Sequence, residues 1–328
     1  MDGLIFTVKG LVHPPDRVIG YLRYLPDPHG DRERDGVRYR RVYRFQEQEE
    51  VLRADYPAYL SHDPVLGIRV QSVPRRLIRT IHDPRRYLAT LRRRGPADLV
   101  EKHALMLADL LHKATNVPWD NLGISGSVLV RMHKPDSDID LVVYGEVEGQ
   151  VVYRTLRRLL EAPSGPLRRP NREELAAIHA AHRLDTPLSF TDFARLQARK
   201  VNEVRFLDRE VFIRFVKWPD EAEERYGDRR FEPLGPAVIR ARVTDSRDAI
   251  FTPCRYAVED VTLLEGPPVA DLREIVSFRG RFSEQVQAGE WAVARGNVER
   301  VIPQTGPAYH RLVIGGQPGD YLLEDGHR

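Results

Sequence analysis

The sequence predicts an α+β chain in three parts. These are a β-rich, arginine-rich region over 1–95, a central α/β domain over 96–220, and a small C-terminal β-barrel or sandwich over 233–328. Three observations carry that expectation. The first 75 residues alternate apolar and polar types between strong turn signals. Residues 97–115 switch to a helical period and lead toward an apolar strand. Beyond Pro233, short β-like stretches recur between turns.

In the N-terminal part, Leu4–Val8 and Val18–Leu22 flank His13-Pro14-Pro15-Asp16, a turn. Val37–Phe45 mixes arginine with aromatic and β-branched residues. Strand alternation puts Tyr39, Arg41 and Tyr43 on one face, which can stack bases and hold phosphates or can simply be solvated. From Arg75 to Arg94, eight arginines stand against one acid, Asp83. The guanidinium fork suits phosphate, although an arginine-rich composition explains such a run equally well.

The central part opens with a helix over 97–115, whose apolar stripe is Leu99, Leu105, Met106, Leu110 and Leu111. A short strand follows over Asn121–Ser125, then a short helix, Val128–Met132, that Ser127 can cap. After the strand that contains Asp138 and Asp140, Val151–Ala162 is amphipathic and ends at Pro163-Ser164-Gly165-Pro166. Asn171 and Glu174 form a capping box for a helix through His182. Ser189–Lys200 is another helix, and Glu203–Lys217 a hairpin turning near Asp208-Arg209. In the C-terminal part, AVIRARV, IFTPCRYAVEDVTLL, EIVSFRGRF, WAVARGNVERVI, YHRLVIG and DYLLE read as strands. An oligonucleotide-binding-type barrel is one candidate, by analogy.

The bulk numbers bound the class. Of 328 residues, 41% are hydrophobic and 30% charged, ordinary for a globular chain with real cores. No run of 18 apolar residues and no basic leader is present, so no membrane span or signal peptide is expected and the cytoplasm is the default location. Cys254 is the sole cysteine, which excludes internal disulfides and argues against a cysteine zinc site. A net charge of +3 does not by itself announce nucleic-acid binding.

The chemistry concentrates in GISGSVLVRMHKPDSDIDLVVYG, Gly123 to Gly145. Asp138 and Asp140 lie two apart, so a strand points both to one side. Two carboxylates on one face of an apolar strand repel each other and resist burial. A divalent cation, Mg2+ or Mn2+, resolves both problems with carboxylate, water and phosphate oxygens. Gly126 permits close backbone approach, and the N–H groups of the turn at Ser127 can accept phosphate oxygens. Together these suit a nucleoside triphosphate with its metal.

The pattern Ile124-Ser125-Gly126-Ser127, ten residues, then Asp138-Ile139-Asp140-Leu141 resembles the DNA polymerase β-type nucleotidyltransferase superfamily. The resemblance covers roughly residues 97–217. It implies a polymerase β-like α/β core and transfer of a nucleoside monophosphate from an NTP to a hydroxyl, with release of pyrophosphate. It assigns metal binding to Asp138 and Asp140 and triphosphate binding to Gly126 and Ser127. Catalytic members carry a third carboxylate on a later strand. That place here holds Phe212, while Glu210 shares its face about 6.6 Å along the strand. Glu210 is therefore the candidate third acid, with Glu203 and Asp208 as others. Arg131, Lys134, Lys200 and Arg214 are candidates for phosphate neutralisation, as is Arg199. His133 reads as an exposed loop histidine, and His179 and His182 as surface histidines. The acceptor best matched to the basic stretches is an RNA or DNA end. The alternative is a catalytically lapsed nucleotide- or RNA-binding protein on the same fold.

Overall fold

The computed structural model describes residues 3–162, 164–182, 188–222 and 224–326. The chain is mixed α/β, with three sheets that follow one another along the sequence. Among the described residues, no helix is long and apolar enough to cross a membrane.

The first sheet comprises β1 (Ile5–Val8), β2 (Arg17–Pro26), β3 (Arg32–Arg34), β4 (Val37–Arg41), β5 (Leu60–Asp63) and β6 (Ile68–Pro74), in the order β3-β4-β2-β6-β5 with β1 beside β2. The strand expected over Val37–Phe45 stops at Arg41, and Phe45–Asp55 forms helix α1. Its sequence, FQEQEEVLRAD, is rich in straight-chain helix formers, but Leu52 is its only buried apolar residue. The helical period was therefore faint. Leu52 packs with Leu22, Val42 and Tyr59 in a small separate core.

The central sheet comprises β7 (Leu122–Ile124), β8 (Ile139–Tyr144), β9 (Leu167–Arg168), β10 (Glu203–Phe206) and β11 (Arg209–Val216), in the order β7-β8-β11-β10-β9. Only β8 and β11 in this sheet run parallel. The helices of this region are α2 (Pro84–Arg94), α3 (Leu99–Thr115), α4 (Gly126–Leu129), α5 (Glu146–Glu161), α6 (Arg172–His182) and α7 (Phe190–Arg199). Alternation splits the sheet cleanly. Ile139, Leu141, Val143, Val211, Ile213 and Phe215 enter one core with Leu107 of α3 and Val152 and Leu156 of α5. Asp140, Phe212 and Arg214 take the opposite face.

Several local readings shift. The buried stripe of α3 is Val100, Ala104, Leu107, Ala108 and Leu111, while Leu99 and Met106 are exposed. Small alanines let α3 lie close to the sheet, so the core-facing stripe is offset from the largest side chains. Leu88 of α2 joins the central core, and Asp83 caps this helix by accepting from the Arg85 N–H at 2.8 Å. The expected Asn171–Glu174 capping box forms in both directions, at 2.8 and 2.9 Å. Pro163, within the expected helix stop, lies outside the described residues.

The third sheet comprises β12 (Arg229–Asp245), β13 (Cys254–Glu265), β14 (Leu272–Ser277), β15 (Trp291–Pro303), β16 (Tyr309–Val313) and β17 (Tyr321–Glu324). Each of the six expected stretches contains a strand, but residues 250–253 and 278–282 lie outside β13 and β14, and Gly280–Phe282 is a 3-10 turn. Pairings run β12-β13-β14-β16-β15, and β15 pairs again with β12 over Arg229–Arg242, so the path returns to its first strand. Strand β14 is parallel to β16 and the other pairs are antiparallel. Its interior holds Ile239, Tyr256, Ile275, Ala294, Val298 and Leu312.

Candidate active site

The site forms on the open face of the central sheet, where Asp140 leaves β8 beside the Gly126-Ser127 turn. The Ser125 N–H donates to the Asp140 carbonyl at 2.7 Å. Gly126 has φ +63°, and a Cβ there would stand 1.9 Å from Asp140 Oδ2. Both its backbone conformation and the approach of the carboxylate therefore require glycine. Ser125, not Ser127, occupies the cap position of α4, and Ser125 makes no side-chain cap. Ser127 lies inside that turn, 5% exposed, with its Oγ buried and unpartnered. A short helix immediately following β7 leaves room for one turn only, which moves the expected cap two residues earlier.

Asp138 and Asp140 share the open face, as alternation requires. Burial and the charge of Asp138 push the Asp140 carboxyl up to about 6, against the pull of Arg214, Arg23 and Arg41. Neither acid has an ion-pair partner within 4.0 Å among the described residues. The pair therefore converges with the turn and is not consumed by a permanent internal cation.

Phe212 lies directly opposite Asp140 in the β8–β11 register. Its ring packs against Gly280, where a Cβ would stand 2.3 Å from the Phe212 Cζ. The position therefore docks the third sheet. Glu210, one step before the first β8–β11 pair, is exposed and lies 3.6 Å from Arg205. It lines, with Asp138, a cavity of about 250 Å3 between α6, α7, β11 and Phe282. Glu203 is opposite Phe212 on β10, but accepts from Lys200 Nζ at 2.7 Å and Gln197 Nε2 at 2.8 Å. Asp208 is exposed in the hairpin turn. Among the described residues no group of three or more His, Cys, Asp or Glu side chains is gathered as a metal cage.

The expected phosphate-binding cations are dispersed. Lys200 is 1% exposed and is used internally, by Glu203 and by the Arg281 carbonyl at 2.6 Å. Lys134 reaches Asp31 at 2.6 Å, and Arg199 bridges Glu290 and Glu324. Arg131 is exposed, in left-handed backbone at φ +56°. Arg214 alone of these stands on the acid-bearing face, beside the Phe212 ring at 5.1 Å. His133 is partly buried rather than exposed, because Asp98 holds its Nε2 at 2.7 Å. His179 is likewise not a surface histidine. It packs on Phe190 and Phe193, and its Nε2 meets the Leu188 carbonyl at 2.8 Å. The side chain of His182 lies outside the described residues. In the arginine run over 75–94, Arg92 covers Trp119 at 3.6 Å, Arg94 pairs with Glu101, and Arg75 donates to the Pro15 carbonyl at 2.8 Å.

The other cations near Asp140 come from the first sheet. Arg23 of β2 and Arg41 of β4 flank the Tyr43 ring at 4.4 and 4.0 Å and bear electrostatically on Asp140. Lys9 sits over Tyr21 at 5.2 Å. Burial, then Arg214, Arg279 and Arg23, lower the Lys9 ammonium to about 7. Arg41 was singled out for its aromatic neighbours, whereas Lys9, Arg23 and Arg279 carried no local signal. Only the packing of the first and third sheets onto the second brings them here. Tyr24 of β2 packs with Val130 and Met132 just after α4, and a Cβ on Gly10 would stand 3.6 Å from Phe278 Cε1.

The fold and site thus define a mixed α/β chain with an unpaired acidic couple, a glycine-dependent turn and surrounding cations on one sheet face. Over 325 residues, 96% of this chain and 92% of its relative, the sequence is 28% identical to the uncharacterized protein MJ1086 of Methanocaldococcus jannaschii. No family model matches the chain, and no solved structure does.

Proposed function

We propose that this protein is a Mg2+-dependent nucleotidyltransferase of the polymerase β type. It moves a nucleoside monophosphate from an NTP to a hydroxyl acceptor, with a nucleic-acid end as the favoured acceptor. The observation that carries the reading is the contact of Gly126 with Asp140: the turn and the acid pair are one site.

A divalent cation fits that pair. Asp138, just before β8, and Asp140 on it have no ion-pair partner among the described residues, and a divalent cation would relieve both the burial of Asp140 and its repulsion by Asp138. Asp138 and Asp140 would hold the metal, whose chemistry is to neutralise phosphate charge and align the triphosphate. The Ser127 hydroxyl and the N–H groups of the turn would bind phosphate oxygens, and Arg214 would lie on the same face to offset their charge. In the transfer, the acceptor oxygen forms a bond to the α-phosphorus. The bond between that phosphorus and the bridging oxygen to the β-phosphate breaks, pyrophosphate departs, and the acceptor proton passes to solvent. By analogy alone, a six-stranded sheet in which β12 pairs with both β13 and β15 is compatible with an oligonucleotide-binding type of module, which supports a nucleic-acid acceptor.

The second reading, a lapsed nucleotide- or RNA-binding protein, is favoured by Phe212 beside Asp140. Incubation of purified protein with each radiolabelled NTP, Mg2+ and RNA, DNA or protein acceptors separates the two. Label incorporation that Asp140→Asn abolishes supports transfer. No incorporation, with Mg2+-dependent NTP affinity that Asp140→Asn still weakens, selects the binding protein. NTP affinity indifferent to both Mg2+ and Asp140→Asn sinks both.

A further inference from the structure

Among the described residues, Lys9, Arg23, Arg41, Arg214 and Arg279 make no ion pair within 4.0 Å. Elsewhere in the chain Arg199, Arg205 and Arg229 each engage two carboxylates. The unpaired cations are partly buried, and they come from all three sheets. Lys9 follows β1, Arg23 and Arg41 lie on β2 and β4, Arg214 on β11, and Arg279 immediately precedes Gly280, the residue that seats Phe212.

Aromatic faces hold several of them without neutralising their charge. Arg23 and Arg41 both stand over the Tyr43 ring, Arg214 over Phe212, and Lys9 over Tyr21. Arg41 Nε is buried without a hydrogen-bond partner. Such a donor is expensive to leave unmade, and like charges gathered close together repel. Burial, then Arg214, Arg279 and Arg23, push the Lys9 ammonium toward its neutral form. A bound anion would offset the repulsion and satisfy the bare donor.

We infer that Lys9, Arg23, Arg41, Arg214 and Arg279 form a composite oxyanion site, built by all three sheets beside Asp140, that binds the phosphoryl groups of a substrate. Guanidinium forks match phosphate oxygens in pairs, and several cations match an anion of several charges. The inference deepens the proposed function and rests on it for the nucleotide's identity, but the cations need no metal to bind phosphate. Two sources share this chemistry: the triphosphate tail of the NTP, and a phosphate of the acceptor.

Calorimetry with inorganic tripolyphosphate in EDTA tests the site separately from the metal chemistry. Wild-type protein, Arg23→Gln/Arg41→Gln and Asp140→Asn are compared, with urea unfolding to verify that each is folded. Tripolyphosphate should bind Asp140→Asn at least as tightly as wild type, because a repelling carboxylate beside Arg23, Arg41 and Arg214 is removed, and bind the double variant at least tenfold more weakly, with a shallower salt dependence. Lys9→Met, at a position that keeps its apolar stem, should weaken binding in the same direction. Competition with Mg2+·ATP then assigns the source. Mutual exclusion places the nucleotide's tail on the cations, and simultaneous binding assigns them to the acceptor. Tripolyphosphate affinity within twofold across wild type, Arg23→Gln/Arg41→Gln and Lys9→Met overturns the inference. In that case a loss of Mg2+-dependent ATP binding in Asp140→Asn would still leave the nucleotidyltransferase reading standing.

Discussion

Replacing Asp140 by asparagine should stabilise the metal-free protein at neutral pH. The carboxyl is raised from 3.8 to about 6, chiefly by burial and then by Asp138. One pKa unit corresponds to about 1.4 kcal/mol, so the ionised carboxylate destabilises the folded state by roughly 3 kcal/mol relative to its neutral form. The folded state binds this proton more tightly than the unfolded chain. The destabilisation is therefore absent below pH 3.8, grows as pH rises toward 6, and is complete above it. Asparagine is close in size and never ionises. In EDTA, urea unfolding of Asp140→Asn against wild type should show a gain approaching 3 kcal/mol at pH 7.5 that shrinks steadily toward pH 4. Saturating Mg2+ should narrow the difference at pH 7.5, because the cation binds the folded wild type and stabilises it by mass action. A variant less stable than wild type at pH 7.5, with the difference vanishing toward pH 4, would refute the reasoning. It would mean that Arg23, Arg41 and Arg214 already neutralise Asp140 as ordinary internal partners.

Two further outcomes follow from the same geometry. Gly126→Ala forces a Cβ to 1.9 Å from Asp140 Oδ2 at φ +63°, so the turn must shift; Mg2+-dependent ATP binding should fall at least tenfold, with a stability loss of about 1–3 kcal/mol in urea unfolding. Glu284, pushed up to about 7 by burial, accepts from the Val201 and Asn202 N–H groups at 3.0 and 3.1 Å, so Glu284→Ala leaves two buried donors bare and should destabilise by about 2–4 kcal/mol, read as a lowered urea midpoint.

The legible parts of the sequence were those with a strong local period or a short-range geometric requirement. Asp138, Ile139 and Asp140 declare their faces by alternation, and Asn171 and Glu174 declare a helix start by spacing. The six C-terminal strands show themselves between turns. Three kinds of feature were not legible. In α1 the polar composition carried no stripe, because only Leu52 is a fully buried apolar anchor. In α3 alanines mark the buried face, whereas the larger Leu99 and Met106 point outward. The cations that interact near this face are separated by up to 270 residues of sequence, Lys9 from Arg279. Charge alone could not tell Lys200, which an internal ion pair consumes, from Arg214, which has none.

Phe212 links the assembly of the chain to the chemistry of its site. A carboxylate there would complete the acid group beside Asp140, but it would also face Gly280, where the aromatic ring now seats the third sheet. That seating brings Arg279 toward Lys9 and lets Glu284 bind the Val201 and Asn202 N–H groups. One side chain therefore exchanges a potential metal ligand for the contact that gathers cations from a distant part of the chain. The exchange has a chemical logic. Phosphoryl transfer demands charge neutralisation more than any particular ligand, and cations around the phosphates can supply what a second metal otherwise would. On this argument, the proposed transfer at Asp138 and Asp140 would depend on the third sheet being docked. Phe212→Ala, which frees Gly280 while leaving both acids in place, should weaken tripolyphosphate binding as well as NTP transfer. Unchanged tripolyphosphate affinity in a folded Phe212→Ala protein would break the link between docking and charge.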